Sequence, residues 1–181
     1  MRWFIASDIH GAAGYCRQML QAFAREKAER LLLLGDLLYH GPRNDLPPEY
    51  NPKEVIALLN EHASQILCVR GNCEAEVDQM VLNFPVLAEY AWLEWSNRLI
   101  FATHGHHFNA QNPPQLQAGD ILLCGHTHIP ACEKCGDLLY INPGSISIPK
   151  NNTPHSYICS DGQSLVWKDL SGREYMRHEL T

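Results

Sequence analysis

Apolar residues arrive along this chain in short uninterrupted runs, at 3–6, 31–34, 66–69, 99–102, 121–124 and 138–141, each closed by polar residues or glycine. Runs of this length predict strands buried on both faces. Between the first two, residues 13–27 place Met19, Leu20 and Phe23 at helical spacing and end in charge, which predicts a helix. Asn51-Pro52 starts a second helix, with Val55, Ile56, Leu58 and Leu59 as its apolar stripe. The resulting β-α-β-α-β order predicts parallel strands joined by right-handed crossovers. Two hairpins come next, 87–95 with 98–103 around Asn97, and 155–160 with 164–169 around Asp161-Gly162, so the second half is richer in strand. Residues 39–51, with three prolines, form the longest irregular stretch, and a loop of that length in a compact domain points to function.

Composition narrows the classes. The 181 residues lie within the usual ~100–200 of a domain, which predicts one domain over 1–181. Lysine and arginine number 14 against 20 aspartates and glutamates, a formal charge of −6 that argues against a nucleic-acid polymer as partner. Seven cysteines, an odd number with several inside apolar runs, predict free thiols in a reducing, cytoplasmic compartment. The N-terminus turns polar at Ser7-Asp8, too early for a signal peptide. No window approaches the ~18 apolar residues of a membrane span. Ten histidines are a high count, and they are what remains to be explained.

The explanation lies at the end of each run. The strands predicted over 3–6, 31–34, 66–69, 99–102 and 121–124 lead into Asp8-Ile9-His10, Gly35-Asp36, Gly71-Asn72, His104-Gly105-His106 and Gly125-His126-Thr127-His128. In open α/β sheets the carboxyl ends of strands are where ligand sites form, so these residues are expected to converge on one edge. In extended chain, residues i and i+2 point the same way, which lets Asp8 act with His10 and His126 with His128. Mixed oxygen and imidazole donors without thiolates suit manganese, iron, zinc, cobalt or nickel rather than calcium or a structural zinc. Any one of these residues alone is an ordinary turn residue; seven in order predict a dinuclear metal site.

Asp8-x-His10, Gly35-Asp36, Gly71-Asn72, His104 and Gly125-His126-Thr127-His128 match the signature of the calcineurin-like metallophosphoesterases, which the chain resembles from residue 8 to 128. Asn142-Pro143-Gly144-Ser145 extends the resemblance, and Cys73 after Gly71-Asn72 is most similar to the small bacterial phosphodiesterases of the YfcE type. The resemblance implies an α/β fold, a four-layer α/β/β/α sandwich of two mixed β-sheets flanked by helices. It implies that Asp8, His10, Asp36 and His128 hold one divalent ion and Asp36, Asn72, His104 and His126 a second, with Asp36 bridging. Manganese is the first choice, and nickel, iron, cobalt or zinc are compatible. The implied reaction is hydrolysis of a phosphodiester in a small soluble molecule by a hydroxide shared between two ions roughly 3.5–4 Å apart. No covalent protein nucleophile is required, and Asn72, Cys73 and His104 are the implied catalytic residues.

One departure matters. Many members of the wider family carry a proton-donating histidine after the Gly-Asn pair, oriented by an adjacent acid, whereas this chain has Cys73-Glu74. A thiol of reference pKa ~8.5 substitutes poorly for an imidazolium near ~6.5. Substrates with good leaving groups are therefore expected, unless His40, His106 or His107 supplies the proton. His40 and Arg43, on the irregular stretch, and His106 are the expected substrate contacts.

Rival readings rest on less. A phosphomonoesterase or protein phosphatase calls for more basic residues than Arg43 and Arg70, and a non-catalytic scaffold of the same fold has no use for seven convergent donors. A thiol redox protein rests only on Cys132-Glu133-Lys134-Cys135, which is expected to be a hairpin turn with incidental thiols. Met80, Val81, Leu82 and Phe84 are expected to pack as the core face of a short helix. Trp92, Leu93 and Trp95 predict an edge strand with an apolar homo-oligomer contact.

Overall fold

Each apolar run becomes a strand whose alternate side chains go to different layers. The structure is a computed structural model describing residues 1–180. Its strands are β1 (Trp3–Ala6), β2 (Arg30–Leu33), β3 (Ile66–Cys68), β4 (Tyr90–Trp95), β5 (Arg98–Thr103), β6 (Ile121–Leu123), β7 (Pro130–Cys135), β8 (Leu138–Pro143), β9 (Ser156–Ser160), β10 (Ser164–Asp169) and β11 (Glu174–Glu179). Its α-helices are α1 (Ala13–Arg25), α2 (Pro52–Asn60) and α3 (Glu76–Val81). One mixed sheet runs β11-β10-β9-β1-β2-β3 and the other β4-β5-β6-β8-β7. As expected, β1, β2 and β3 are parallel, while β4 with β5 and β9 with β10 form antiparallel pairs.

The layers arise from strand alternation. Phe4, Ala6, Leu31 and Leu33 face outward onto Met19 and Phe23 of α1 and Val55 and Leu59 of α2. Ile5, Leu32, Ile158 and Leu165 face inward, against Ile100, Ala102, Ile121, Leu123 and Ile141 of the second sheet. The outer face of that sheet, Phe101, Leu122 and Tyr140, is covered by Phe108, Ala110 and Leu116 of the irregular segment 104–120. The fourth layer of the sandwich is thus an ordered segment without a helix among the described residues. Asn51 caps α2 by accepting the Glu54 N–H, with Pro52 at the first position, as the sequence predicts.

Three details differ from expectation. Cys132 and Cys135 lie on β7 rather than in a turn, three residues apart and therefore on opposite faces, Cys132 toward the inter-sheet core and Cys135 toward the outer cover. That separation removes the geometry of a redox pair, and all seven cysteines are free. In the stripe after residue 79, Leu82 and Phe84 are buried but Met80 is 82% exposed and Val81 39%, because α3 is only six residues long and turns its own face to solvent. The charged strand β11 has no counterpart in the apolar runs; it pairs with β10 as a sheet edge. On the edge strand β4, Trp95 is buried while Trp92 is exposed, as alternation requires. No helix among the described residues is long and apolar enough to cross a membrane.

A buried polar bond ties the two sheets: fully buried Trp167 on β10 donates Nε1–H to the Asn142 carbonyl on β8 at 2.7 Å. Trp167→Phe keeps most of the packing and leaves that carbonyl without this donor. The expected loss is about 1–3 kcal/mol, measured as a lower urea midpoint at unchanged slope. A midpoint equal to that of the parent protein would show that the bond contributes nothing.

Candidate metal centre

The ends of five strands meet at one edge of the sandwich. Asp8 and His10 come after β1, Asp36 after β2 and Asn72 after β3; His104 comes after β5, and His126 and His128 after β6. Asp8, His10, Asp36, His126 and His128 all have left-handed backbone, with φ of 59°, 50°, 57°, 66° and 62°. That conformation costs about 1–2 kcal/mol per residue, less for short polar side chains, and it aims successive side chains into one space. Cross-strand hydrogen bonds hold it: Asp8 N–H donates to Gly35 O at 3.1 Å, His10 N–H to Asp36 O at 2.9 Å, and His126 N–H to the Asp8 carboxylate at 3.1 Å.

The donor atoms fall into two groups that share one oxygen. His10 Nε2 lies 3.5 Å from Asp8 Oδ1, 3.4 Å from His128 Nε2 and 3.7 Å from Asp36 Oδ2, and His128 Nε2 is 3.3 Å from Asp8 Oδ1. On the other side, His104 Nε2 lies 3.4 Å from Asp36 Oδ2, 3.1 Å from Asn72 Oδ1 and 3.2 Å from His126 Nδ1. Asp36 Oδ2 therefore faces both groups.

The protonation pattern shows what such an arrangement needs. His10, His104 and His128 place Nδ1 2.8, 2.6 and 2.7 Å from the carbonyls of Tyr39, Leu34 and Ile148, so Nδ1–H donates and the Nε2 lone pairs face inward. Buried Asp8 Oδ1 has no hydrogen-bond partner among the described residues. Lone pairs turned on one another at hydrogen-bond distance require protons or cations between them. The imidazole and oxygen donors, with a shared carboxylate, fit a pair of divalent transition-metal ions.

Electrostatics agree. Burial pushes Asp8 up, yet the close His10 imidazole and those of His104 and His128 hold it well below the usual carboxylate range. Burial also opposes a charge on His104, but contact with Asp36 and the charge of Asp8 push it up to about 9. Without cations, a proton on His104 offsets part of the charge of Asp8 and Asp36. Burial, with help from Asp36, pushes the Cys73 thiol far up, so it is a weak acid. Burial and the neighbouring histidines take His106 down to about 4, which leaves its ring neutral.

The surrounding residues act as mounts. Glu74, buried and pushed up to about 7 by burial and Asp36, accepts N–H bonds from Asp36 at 2.8 Å, Leu37 at 2.7 Å and Gly71 at 2.5 Å. Glu74 thus braces backbone here, whereas in the wider family pattern an acid beside the Gly-Asn pair orients a histidine. Only glycines fit where these turns touch: a Cβ on Gly35 would strike the Gly71 amide, and one on Gly71 would strike the Asp36 carboxylate. Ser145 and Ser147 each donate Oγ–H to Asp8 O at 2.9 Å, and Asn142 donates to Gly125 O at 2.7 Å.

A cavity of about 410 Å³ opens beside the donors. Asp36, Asn72, Cys73, His126 and His128 line it, together with Arg43 and Lys150. Of the three expected substrate contacts, only Arg43 lines this cavity. His40 packs edge-on between the rings of Tyr39 and Tyr50, and His106 lies beside the donors without lining the cavity, its ring 5.4 Å from that of His104 and 4.0 Å from that of His107. Sequence reasoning missed Lys150 and the brace of Glu74. A cation shortly after the Asn142–Ser145 motif was the available signal for Lys150.

Known proteins resemble this chain in sequence and fold. The calcineurin-like phosphoesterase superfamily domain model matches residues 1–164. The chain is 46% identical over 165 residues to Phosphodiesterase YfcE of Escherichia coli (strain K12), covering 91% of this chain and 90% of that protein. It is 26% identical to Probable metallophosphoesterase YsnB of Bacillus subtilis, covering 96% and 94%. The solved structure of YfcE, described as a phosphoesterase from E. coli, superposes with a TM-score of 0.95 at 42% identity over the whole of both chains.

Because a protonated His104 must become neutral to ligate, uptake of Mn or Zn should release a proton. Calorimetry at about pH 7.5 in buffers of different ionisation enthalpy should show release of about one proton, and affinity should rise with pH up to about 9. Heats independent of the buffer would overturn this assignment of charge.

Proposed function

The chain belongs to the calcineurin-like phosphoesterase superfamily, and on that premise we propose that it hydrolyses phosphodiesters of small molecules at a centre of two divalent cations. The observation that carries the reading is the position of Asp36 Oδ2, within 3.7 Å of His10 Nε2 in one donor group and 3.4 Å of His104 Nε2 in the other. Cations bound there supply an acidified water and neutralise charge on the phosphoryl oxygens. The chain's own part is to position the ester. Asn72, a neutral donor at the cavity wall, presents its carbonyl to His104, and its amide is assigned to a phosphoryl oxygen. Arg43, which lines the same cavity, is assigned to the substrate. The 46% identity to a protein named a phosphodiesterase supports the diester over the monoester.

Leaving-group protonation is the weak point of the machinery. Burial raises the Cys73 thiol and lowers the His106 imidazolium, which disfavours either as the proton donor to an alkoxide. Aryl and other low-pKa esters are therefore the favoured substrates.

Two measurements check this reading. In a metal-reconstituted screen of matched aryl mono- and diesters, the diester should show the higher kcat/KM and Asp36→Ala should fall to background. Activity surviving in that variant would remove the shared-carboxylate centre, and a preference for the monoester would select a phosphomonoesterase. Across diesters of graded leaving-group pKa, the rate should fall steeply, and Cys73→His should gain most on alkyl esters, by about 10²-fold if it restores general acid catalysis. A flat dependence would mean that a proton is already delivered.

A further inference from the structure

Arg43 and Lys150 both line the cavity beside the donor cluster, and we propose that they form an anion subsite selecting phosphodiesters that carry a second phosphate group. The inference rests on the phosphodiesterase reading and names its substrate class.

Lys150 is bonded to a donor histidine, and Arg43 lies in a loop whose first residue is bonded to another. Lys150 donates its backbone N–H to His128 O at 3.1 Å, and the turn beyond it is closed by Thr153, whose N–H and Oγ–H both reach Lys150 O, at 3.1 and 2.7 Å. His128 Nδ1 in turn bonds Ile148 O, so residues 148–150 are fixed by the same histidine from two sides. Arg43 belongs to a tight turn, with Asn44 N–H reaching Gly41 O at 3.4 Å and Asn44 Nδ2 reaching His40 O at 2.8 Å. His10 Nδ1 ties the start of that loop through Tyr39 O, and Gly41 packs beside Cys73 Sγ. Both backbones are therefore positioned by the residues that face the donor cluster.

The charge count then points to the ligand. Neither Arg43 nor Lys150 takes part in any ion pair among the described residues. The single carboxylate lining the cavity is Asp36, which belongs to the donor set. A phosphodiester has one negative charge at its phosphorus, and divalent cations in the donor cluster more than match it. Two further positive charges in the same cavity exceed what that group needs, and they are matched by another anion on an ester substituent. A cavity of about 410 Å³ has room for the phosphoryl group and such a substituent.

The test uses the metal-loaded protein and two diesters with one leaving group: p-nitrophenyl phenyl phosphate, and its analogue with a para-phosphono group on the phenyl ring. The parent protein should favour the phosphono diester in kcat/KM by about tenfold, the scale of one charge-assisted contact. In Lys150→Gln and in Arg43→Gln that ratio should fall toward unity. Binding of phenylphosphonate and para-phenylenebisphosphonate, measured by calorimetry, should show the same preference and the same loss. A parent ratio near one, or a preference kept in both variants, would overturn the subsite. If neither diester is cleaved, the phosphodiesterase reading fails, and the calorimetric ratio alone decides the subsite: a preference lost in the variants upholds it, and equal affinities overturn it.

Discussion

The closeness of the turns after β2 and β3 is the constraint on which the site depends. Gly35 and Gly71 touch where neither tolerates a side chain, and Glu74 fastens both turns by taking N–H bonds from Asp36, Leu37 and Gly71 on one carboxylate. That contact fixes Asp36 in left-handed backbone, with one carboxylate oxygen accepting the Cys73 N–H at 2.9 Å and the other facing two histidines. If the turns moved apart, the oxygen shared by the two donor groups would be the first atom misplaced. A charged residue buried against backbone amides is costly unless every lone pair is used, and Glu74 uses both oxygens.

The rest of the edge is fastened in the same way, by groups that are not donors to the cluster. Ser145 and Ser147 converge on the Asp8 carbonyl, and Asn142 on the Gly125 carbonyl, so the short motif after β8 sets the turns that present Asp8 and His126. Asn142 is itself tied by its carbonyl to Trp167 between the sheets. Fold stability and site geometry are in this way linked through one asparagine.

Much of this was legible in the sequence because burial on both faces writes an unmistakable pattern. β1 and β2 read as strands since Phe4 and Leu31 fill one core while Ile5 and Leu32 fill another. The donors were legible because each comes directly after such a run. Where one face meets solvent the pattern fades: β11 is held by its pairing to β10 and its residues are mostly charged, and β7 carries polar residues among its thiols. Glu74 resembled the acid that accompanies a histidine in the wider family, and nothing local revealed that its partners are amides 37 and 38 positions away. Lys150 escaped notice for the same reason, since its place beside the donors comes from contact with His128, 22 positions earlier in the chain.

The donors are divided between the two sheets, four from the sheet containing β1 to β3 and three from the sheet containing β5 and β6. The centre is therefore a seam between the halves of the sandwich. Any ion held there is bound by the folded chain alone, and its occupancy adds to the free energy of unfolding in proportion to the logarithm of ion concentration over Kd. Neither half can slide or peel from the other without opening the seam, so the two sheets are bound to unfold as one cooperative unit whenever the ions are in place. Histidines contributed by both halves would then serve, with an ion between them, as stitching for the whole molecule.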